Sequence, residues 1–293
     1  MQILKEQFPG PYGRILLGAG RDLLSLTRDE VMPSFRGHHV LLLRGFAADI
    51  AAFKAFTSAM TGDFVDYRGG SFKREKIQGD PTLLSVTAAE QRSSIPFHGE
   101  MYYKRIRPSV LWFYCDRPPS RLGETTLCDG RELYRSLSAR TRDMLERKPL
   151  VYRVNYTLES LHEIYESDDL GQIRQRCAED GVSLHIDGRH CHTEFEGPAV
   201  HRNDAGEPCV INNILPMALA ELLLRRRERQ VRYSDGRRLS MGVVLELLFK
   251  SHRLGLAVPW QRHDVLMIDN RTIMHGRRRI ADPARKILVR MSN

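Results

Sequence analysis

The chain has 293 residues, of which 42% are hydrophobic and 28% charged, with 22 Gly and 14 Pro; this is enough to fill a substantial core and excludes disorder and fibrous repeats. No stretch approaches the roughly 20 apolar residues of a membrane span, and the start, MQILKEQFPGPYGR, lacks the apolar run of a secretory signal, so a cytoplasmic protein with no membrane partner is expected. The net charge of +9 comes from 45 basic against 36 acidic residues and gathers in two runs, Arg225, Arg226, Arg227, Arg229 and then Arg277, Arg278, Arg279. Clustered Arg can neutralise a polyanion. The first run, however, ends an apolar helix pattern, where cations suit the helix dipole, and no aromatic-interleaved basic motif accompanies it, so no nucleic acid is expected. Five cysteines, odd in number and without a CxxC pair, read as reduced thiols.

In chain order, HVLLLRGF (39–46) reads as a buried strand feeding a helix over 50–60, and LLSVT (83–87) as a second strand. After the polar AAEQRSS, the run VLWFYC (110–115) reads as a central strand, because only a strand covered on both faces is apolar throughout. ETTLCD resembles another strand, and 130–147 carries helical spacing through Leu133, Leu137 and Met144. From 149 to 208 the pattern is ragged and fixes no topology. Helices are predicted over 216–229 and 240–254, followed by two apolar strands in PWQRHDVLMIDNRTIMHGRRRIADPARKILVRM. Strand patterns occur in both halves with no linker between them, which predicts one α+β domain over 1–293 with a β core.

The tripeptide His98-Gly99-Glu100 carries the chemistry. In an extended segment, residues i and i+2 share a face, so imidazole and carboxylate can meet one metal ion, and His275, after the strand VLMIDN, can bring a second imidazole. Two His and one carboxylate leave open positions on the metal, the arrangement of non-haem Fe(II) oxygenases. Taken alone, H-x-E is weak evidence. A second copy, His192-Thr193-Glu194, lies in a His-rich segment with His185, His190 and His201, whose spacing lacks the regularity of a helical metal site.

Two longer blocks supply context: PFHGEMYYKRIRPSVLWFYCDRPPSRLGETTLCDGRELY and WQRHDVLMIDNRTIMHGRRRIADPARKILVRM. In order and spacing they resemble the taurine dioxygenase (TauD/TfdA) family of Fe(II)/2-oxoglutarate-dependent oxygenases. They are nearest the branch with clavaminate-synthase-like and SyrP-like hydroxylases, where the carboxylate ligand is often Glu. The resemblance implies a double-stranded β-helix (jelly-roll, cupin-like) core with helical insertions, with Fe(II), 2-oxoglutarate and O2 as cofactors and co-substrate. It implies His98, Glu100 and His275 as iron ligands and Thr125 as a hydroxyl for the distal carboxylate of 2-oxoglutarate. The cation for that carboxylate is Arg285 or Arg290, which in a regular strand lie on opposite faces; Arg285 is preferred, and a second alignment puts Lys286 there with Arg290 near substrate. The family often has Gly-Asp where this chain has His263-Asp264, so a changed turn with unchanged chemistry is expected.

Tyr102, Tyr103, Lys104 and Arg105 follow the metal motif and are candidate lining of the substrate mouth, or else a packed lead-in with snorkelling cations. The region 150–255 is expected to shape the substrate pocket. The implied reaction is hydroxylation of an unactivated C–H bond in a small molecule: an amino acid, a derivative, or a carrier-tethered intermediate of specialised metabolism. With Glu100 present no ligand position is vacated for halide, so hydroxylation is favoured over halogenation, while desaturation and ring formation stay open. Two alternatives remain at this point: a metal-free β-barrel binding an anionic ligand or nucleic acid, and a cupin-type metalloenzyme that does not use 2-oxoglutarate.

Overall fold

Strands carry most of the apolar runs, and they stack in two antiparallel layers. In the computed structural model, which describes residues 4–8, 10–65, 67–70, 74–86 and 92–293, the first third holds β1 (Leu4–Gln7), β2 (Arg14–Leu17), α1 (Arg28–His38), β3 (Val40–Arg44), α2 (Ile50–Met60), β4 (Lys76–Ile77), β5 (Asp80–Ser85) and β6 (Ile95–His98). Next come β7 (Val110–Arg117), β8 (Thr125–Asp129), α3 (Gly130–Ser136), α4 (Ala139–Arg147), β9 (Leu150–Thr157), α5 (Leu158–Tyr165), α6 (Leu170–Asp180), β10 (Ser183–Asp187) and β11 (His190–Gly197). The chain closes with β12 (His201–Arg202), β13 (Pro208–Cys209), α7 (Ile214–Leu224), β14 (Arg229–Tyr233), α8 (Met241–Leu254), β15 (Leu256–Ala257), β16 (Val265–Asp269), β17 (Ile273–Arg277) and β18 (Lys286–Ser292).

The major sheet has the order β1-β2-β3-β16-β7-β18-β5-β4 and is antiparallel except where β2 meets β3; the minor sheet is β15-β8-β17-β6. β7 lies between β16 and β18, and its residues alternate between two apolar clusters. Leu111, Phe113 and Cys115 join the cluster between the sheets, with Ile268, Ile287 and Val289. Trp112 and Tyr114 turn to the other side, where Phe53 and Phe56 of α2 cover them, Phe53 stacked on Tyr114 at 5.3 Å. Both faces of the strand are therefore dry, which is why its sequence shows no polar alternation. This is the jelly-roll core with helical additions that the resemblance implied.

One ion pair pins the major sheet. Arg44 at the end of β3 donates to both oxygens of Asp264 (3.1 and 2.7 Å), and the Asp264 side chain is fully buried. The residue before it, His263, takes a left-handed backbone (φ 70°) and stacks on Tyr114 at 6.2 Å, so the turn keeps the conformation a glycine favours although the residue is His. Arg44→Ala leaves a buried carboxylate without its cation and is expected to cost roughly 3–5 kcal/mol, read as a lower denaturant midpoint at unchanged m value.

Several predicted elements are redrawn. The helix predicted over 130–147 is two, because Ser138 caps a new start by accepting from Thr141 N–H. The helix predicted over 216–229 ends at Leu224, where Arg225 turns left-handed (φ 51°), and Arg229 already begins β14. Residues 87–91, part of the predicted strand and polar stretch, lie outside the described residues. The ragged region 149–208 supplies β9, β10 and β11 to a third sheet of order β10-β11-β9-β14. All five cysteines are free and buried. No helix among the described residues is long and apolar enough to cross a membrane.

Candidate metal and 2-oxo acid site

β6 and β17 run side by side in the minor sheet, with His98 and His275 directly paired and their rings 4.3 Å apart. His275 is the middle of a second strand, β17, and every residue of that strand is buried. β6 stops at His98, so Glu100 lies just past the extended segment, in a turn, and Asn270 places it there. The Asn270 side chain accepts from the Glu100 N–H (2.8 Å) and donates to the Glu100 carbonyl (3.1 Å) and to that of Pro108 (2.8 Å). Met101 completes the turn with a left-handed backbone (φ 61°). The glycine between the two ligand candidates is needed for packing rather than for backbone freedom: a Cβ on Gly99 would lie 2.4 Å from Tyr102 and 2.5 Å from Ile211.

His98, Glu100 and His275 each offer a ligand atom, and those atoms lie within 4.8 Å of one another. Nδ1 of His98 donates to the Pro96 carbonyl (2.9 Å), which leaves the Nε2 lone pair for a metal. Burial and then the neighbouring His275 push the His98 imidazole down to about 4, so it is neutral at pH 7. Glu100 Oε2 is 3.5 Å from Nε2 of His275 and 3.0 Å from Nη2 of Arg74. Burial opposes ionisation of Glu100, but the Arg74 guanidinium and the two imidazoles outweigh it and hold the carboxyl well below the usual range. Nδ1 of His275 is buried without a hydrogen-bond partner among the described residues. A buried, ionised carboxylate converging with two imidazoles is a donor set suited to a divalent transition metal with open positions.

One rung along the same face the surroundings turn cationic. Thr125 pairs with Arg277 across β8 and β17, and its hydroxyl accepts from Nε1 of Trp260 at 3.2 Å. Arg285 points inward between the sheets, donating from Nε to the Gly123 carbonyl at 2.6 Å. Burial lowers Arg285 and Arg277 to about 10 each, Arg285 with help from Arg277, and both stay charged at neutral pH. Two buried cations beside a hydroxyl are suited to a carboxylate, and Arg277 also donates from Nη2 to the Ser93 carbonyl at 2.9 Å. In the sequence Arg277 stands only as part of the second basic run. Its signal was present: in a strand, residue 277 shares a face with His275.

The other predicted positions separate. Arg290 is not at this site, because it shares the outer face of β18 with Leu288; it donates to Thr57, Ser58, Thr82 and the Lys54 carbonyl and lies over the Phe64 ring. Lys286 is half exposed and pairs with Asp116. Arg105 is turned away, with Nη2 on the Glu179 carbonyl at the end of α6, where Lys104 pairs with Asp180. Tyr102 is packed between Gly99 and His201 and donates to the Asn270 carbonyl, which makes it part of the scaffold under Glu100. Tyr103 is buried on the Arg74 side. Arg74 and Asn270 were missed in sequence, since neither belongs to a recognisable motif. The second H-x-E lies on β11, where His192 stacks on His185 at 4.6 Å and Arg153 binds Glu194 at 2.7 Å; this group also falls within 4.8 Å, on a partly exposed sheet face.

The model for the taurine catabolism dioxygenase TauD, TfdA family matches residues 8–292. The chain belongs to this family. Among relatives of the TauD/TfdA chain, a clavaminate synthase-like protein of Arabidopsis thaliana is 28% identical over 270 residues, 85% of this chain and 79% of that one. The dapdiamide synthesis protein DdaC of Enterobacter agglomerans is 22% identical over 281 residues, covering 86% and 84%. The crystal structure of PvcB from Pseudomonas aeruginosa shares the fold at a TM-score of 0.63 and 17% identity, covering 99% of this chain and 91% of that one. As a TauD/TfdA member the chain is an Fe(II)/2-oxoglutarate-dependent dioxygenase.

Proposed function

We propose that His98, Glu100 and His275 hold the iron, that Thr125, Arg285 and Arg277 hold the distal carboxylate of 2-oxoglutarate, and that the enzyme hydroxylates an unactivated C–H bond of a small molecule. One observation carries the reading: three ligand atoms within 4.8 Å on adjoining elements, Glu100 and His275 buried and His98 half-buried, with Arg277 on the neighbouring rung and the buried Arg285 close enough to act on it. When bound, iron and 2-oxoglutarate supply the oxidising power by coupling decarboxylation of the 2-oxo acid to succinate with activation of O2.

The chain's own residues position and enclose. Neutral His98 and ionised Glu100 are ready donors at pH 7, and Asn270 fixes the Glu100 peptide from both sides. Phe113, Leu127 and Trp260 keep the interior around His275 and Thr125 dry, which strengthens each ion pair formed there. The substrate lies on the Arg74 and Tyr103 side of Glu100, and the region 150–255 of this single oxygenase domain shapes the pocket. An amino acid, an amino-acid derivative or a carrier-tethered intermediate suits a site with a guanidinium and a tyrosine at its edge. The resemblance of the chain to proteins such as DdaC supports a role in specialised metabolism.

Anaerobic titration of the protein with Fe(II) and then 2-oxoglutarate tests the assignment. A weak visible metal-to-ligand charge-transfer band is expected, lost in Glu100→Ala. Iron binding without the band would sink the 2-oxoglutarate placement. Asn270→Ala, which frees the Glu100 peptide, is expected to weaken metal binding by roughly 10–100-fold, measured by competition with a colorimetric chelator.

A further inference from the structure

α8 is apolar on two sides. Val243, Val244, Leu247 and Ser251 face the protein and are buried. Met241, Leu245 and Phe249, spaced i, i+4 and i+8, face out and are 52%, 52% and 64% exposed. The last turn of α7 adds Leu222, Leu223 and Leu224, the latter two 72% and 62% exposed. Of the eight large apolar side chains exposed among the described residues, these are six, so the exposure is concentrated and not scattered. Between the two helices runs a groove of about 800 Å³, lined by Leu219, Leu245, Leu248 and Phe249 over Phe97 and Leu256 of the minor sheet.

The groove is cationic: its lining holds Arg277, Arg278 and His252 and no acid, and further arginines follow on the two helices. Arg225, Arg226 and Arg227 follow α7 and are exposed, and Arg253 is exposed near the end of α8. None of these four forms a close ion pair among the described residues, although Arg227 acts on Glu221 at longer range. The acids of the two helices are already engaged: Glu221 by Arg232 at 2.6 Å and Arg238 at 3.4 Å, Glu246 by Ser138 and Thr141. Glu228 is the one exposed acid in the run that follows α7.

We propose that the α7–α8 face docks an amphipathic helix of an acidic partner protein, with its apolar stripe in the groove and its carboxylates on the arginine rim. A groove between two helices accepts the side chains of a third in the ridge-and-groove manner, and the i, i+4, i+8 stripe on α8 matches such a partner. A second copy of this chain fits poorly, since a two-fold contact would set the arginine rims against each other. A flat bilayer would leave the floor of the concavity unfilled. The groove contains none of the three metal candidates, though it shares Arg277 with the proposed cofactor site.

The test uses the full chain and a fluorescent amphipathic peptide of about five helical turns, roughly 18 residues, with Leu on one face and Glu on the other. A peptide with Lys in place of Glu is the control. Saturable binding of the acidic peptide is expected, weakened roughly tenfold or more by Phe249→Ser, weakened by Arg226→Glu and by rising ionic strength, and absent for the Lys peptide. Unchanged melting curves for Phe249→Ser and Arg226→Glu would show that the fold is intact. Equal binding of both peptides, no binding, or binding indifferent to Phe249→Ser would overturn the proposal. So would concentration-dependent dimers abolished by Phe249→Ser in sedimentation, which would assign the face to a second copy, or co-sedimentation with anionic phosphatidylglycerol vesicles lost in the same variant, which would assign it to a membrane.

Discussion

Replacing His98 or His275 by Ala is expected to remove Fe(II)-dependent turnover to background and to lower metal affinity by well over the roughly 100-fold that loss of a mere hydrogen-bond partner to a ligand can cost. The reason is geometric. The two imidazoles are paired across β6 and β17, and each supplies one of only three side-chain donors in the cluster. Neither is needed for pairing of the strands themselves, whose ladder is made by the backbone, so the variants should fold and keep their melting temperatures to within a few degrees. His192→Ala, in the partly exposed His185, His192 and Glu194 group, is expected to leave turnover intact. Succinate formation by the three variants decides the matter, and loss of activity in His192→Ala with survival in His98→Ala would move the centre to β11.

Arg285→Ala is expected to weaken 2-oxoglutarate binding by about 3 kcal/mol, or roughly a hundredfold, because removing one partner of a buried charge pair typically costs about 2–5 kcal/mol. Iron binding should stay unchanged, since Arg285 is not one of the three metal candidates and donates to the Gly123 carbonyl. Arg290→Ala is predicted to do the opposite. Its guanidinium holds Thr57, Ser58 and Lys54 of α2 and Thr82 of β5, so its loss lowers stability by about 2–4 kcal/mol and leaves cofactor affinity where it was. If Arg290→Ala weakened the cofactor and Arg285→Ala did not, the inward placement of Arg285 and the outward placement of Arg290 would be reversed.

The legible parts of the sequence were those where burial and local chemistry agree. VLWFYC announced a strand covered on both faces, and the strand is β7; the helix predicted over 50–60 is α2 residue for residue, with Asp49 capping it. The 150–255 region stayed opaque for a physical reason. β9 takes β14, some 70 residues further on, as one neighbour and β11 as the other, so its half-buried pattern depends on partners that no local window contains. The site shows the same division. The three ligand candidates sit in motifs and could be named, whereas Arg277 was hidden in a basic run because its burial is set by pairing with Thr125. Asn270 works on Glu100 from 170 residues away, and nothing near either residue advertises it.

The five buried cysteines bear on the durability of an enzyme that handles O2. Burial raises every one of these thiols, Cys115 and Cys209 to about 12, so almost none of the sulfur is present as the nucleophilic thiolate. Sulfenic acid formation starts from that thiolate. The protein is thereby protected against its own stray oxidants by the pKa and inaccessibility of its sulfur, and a preparation left in air should lose bound iron long before it loses a titratable thiol.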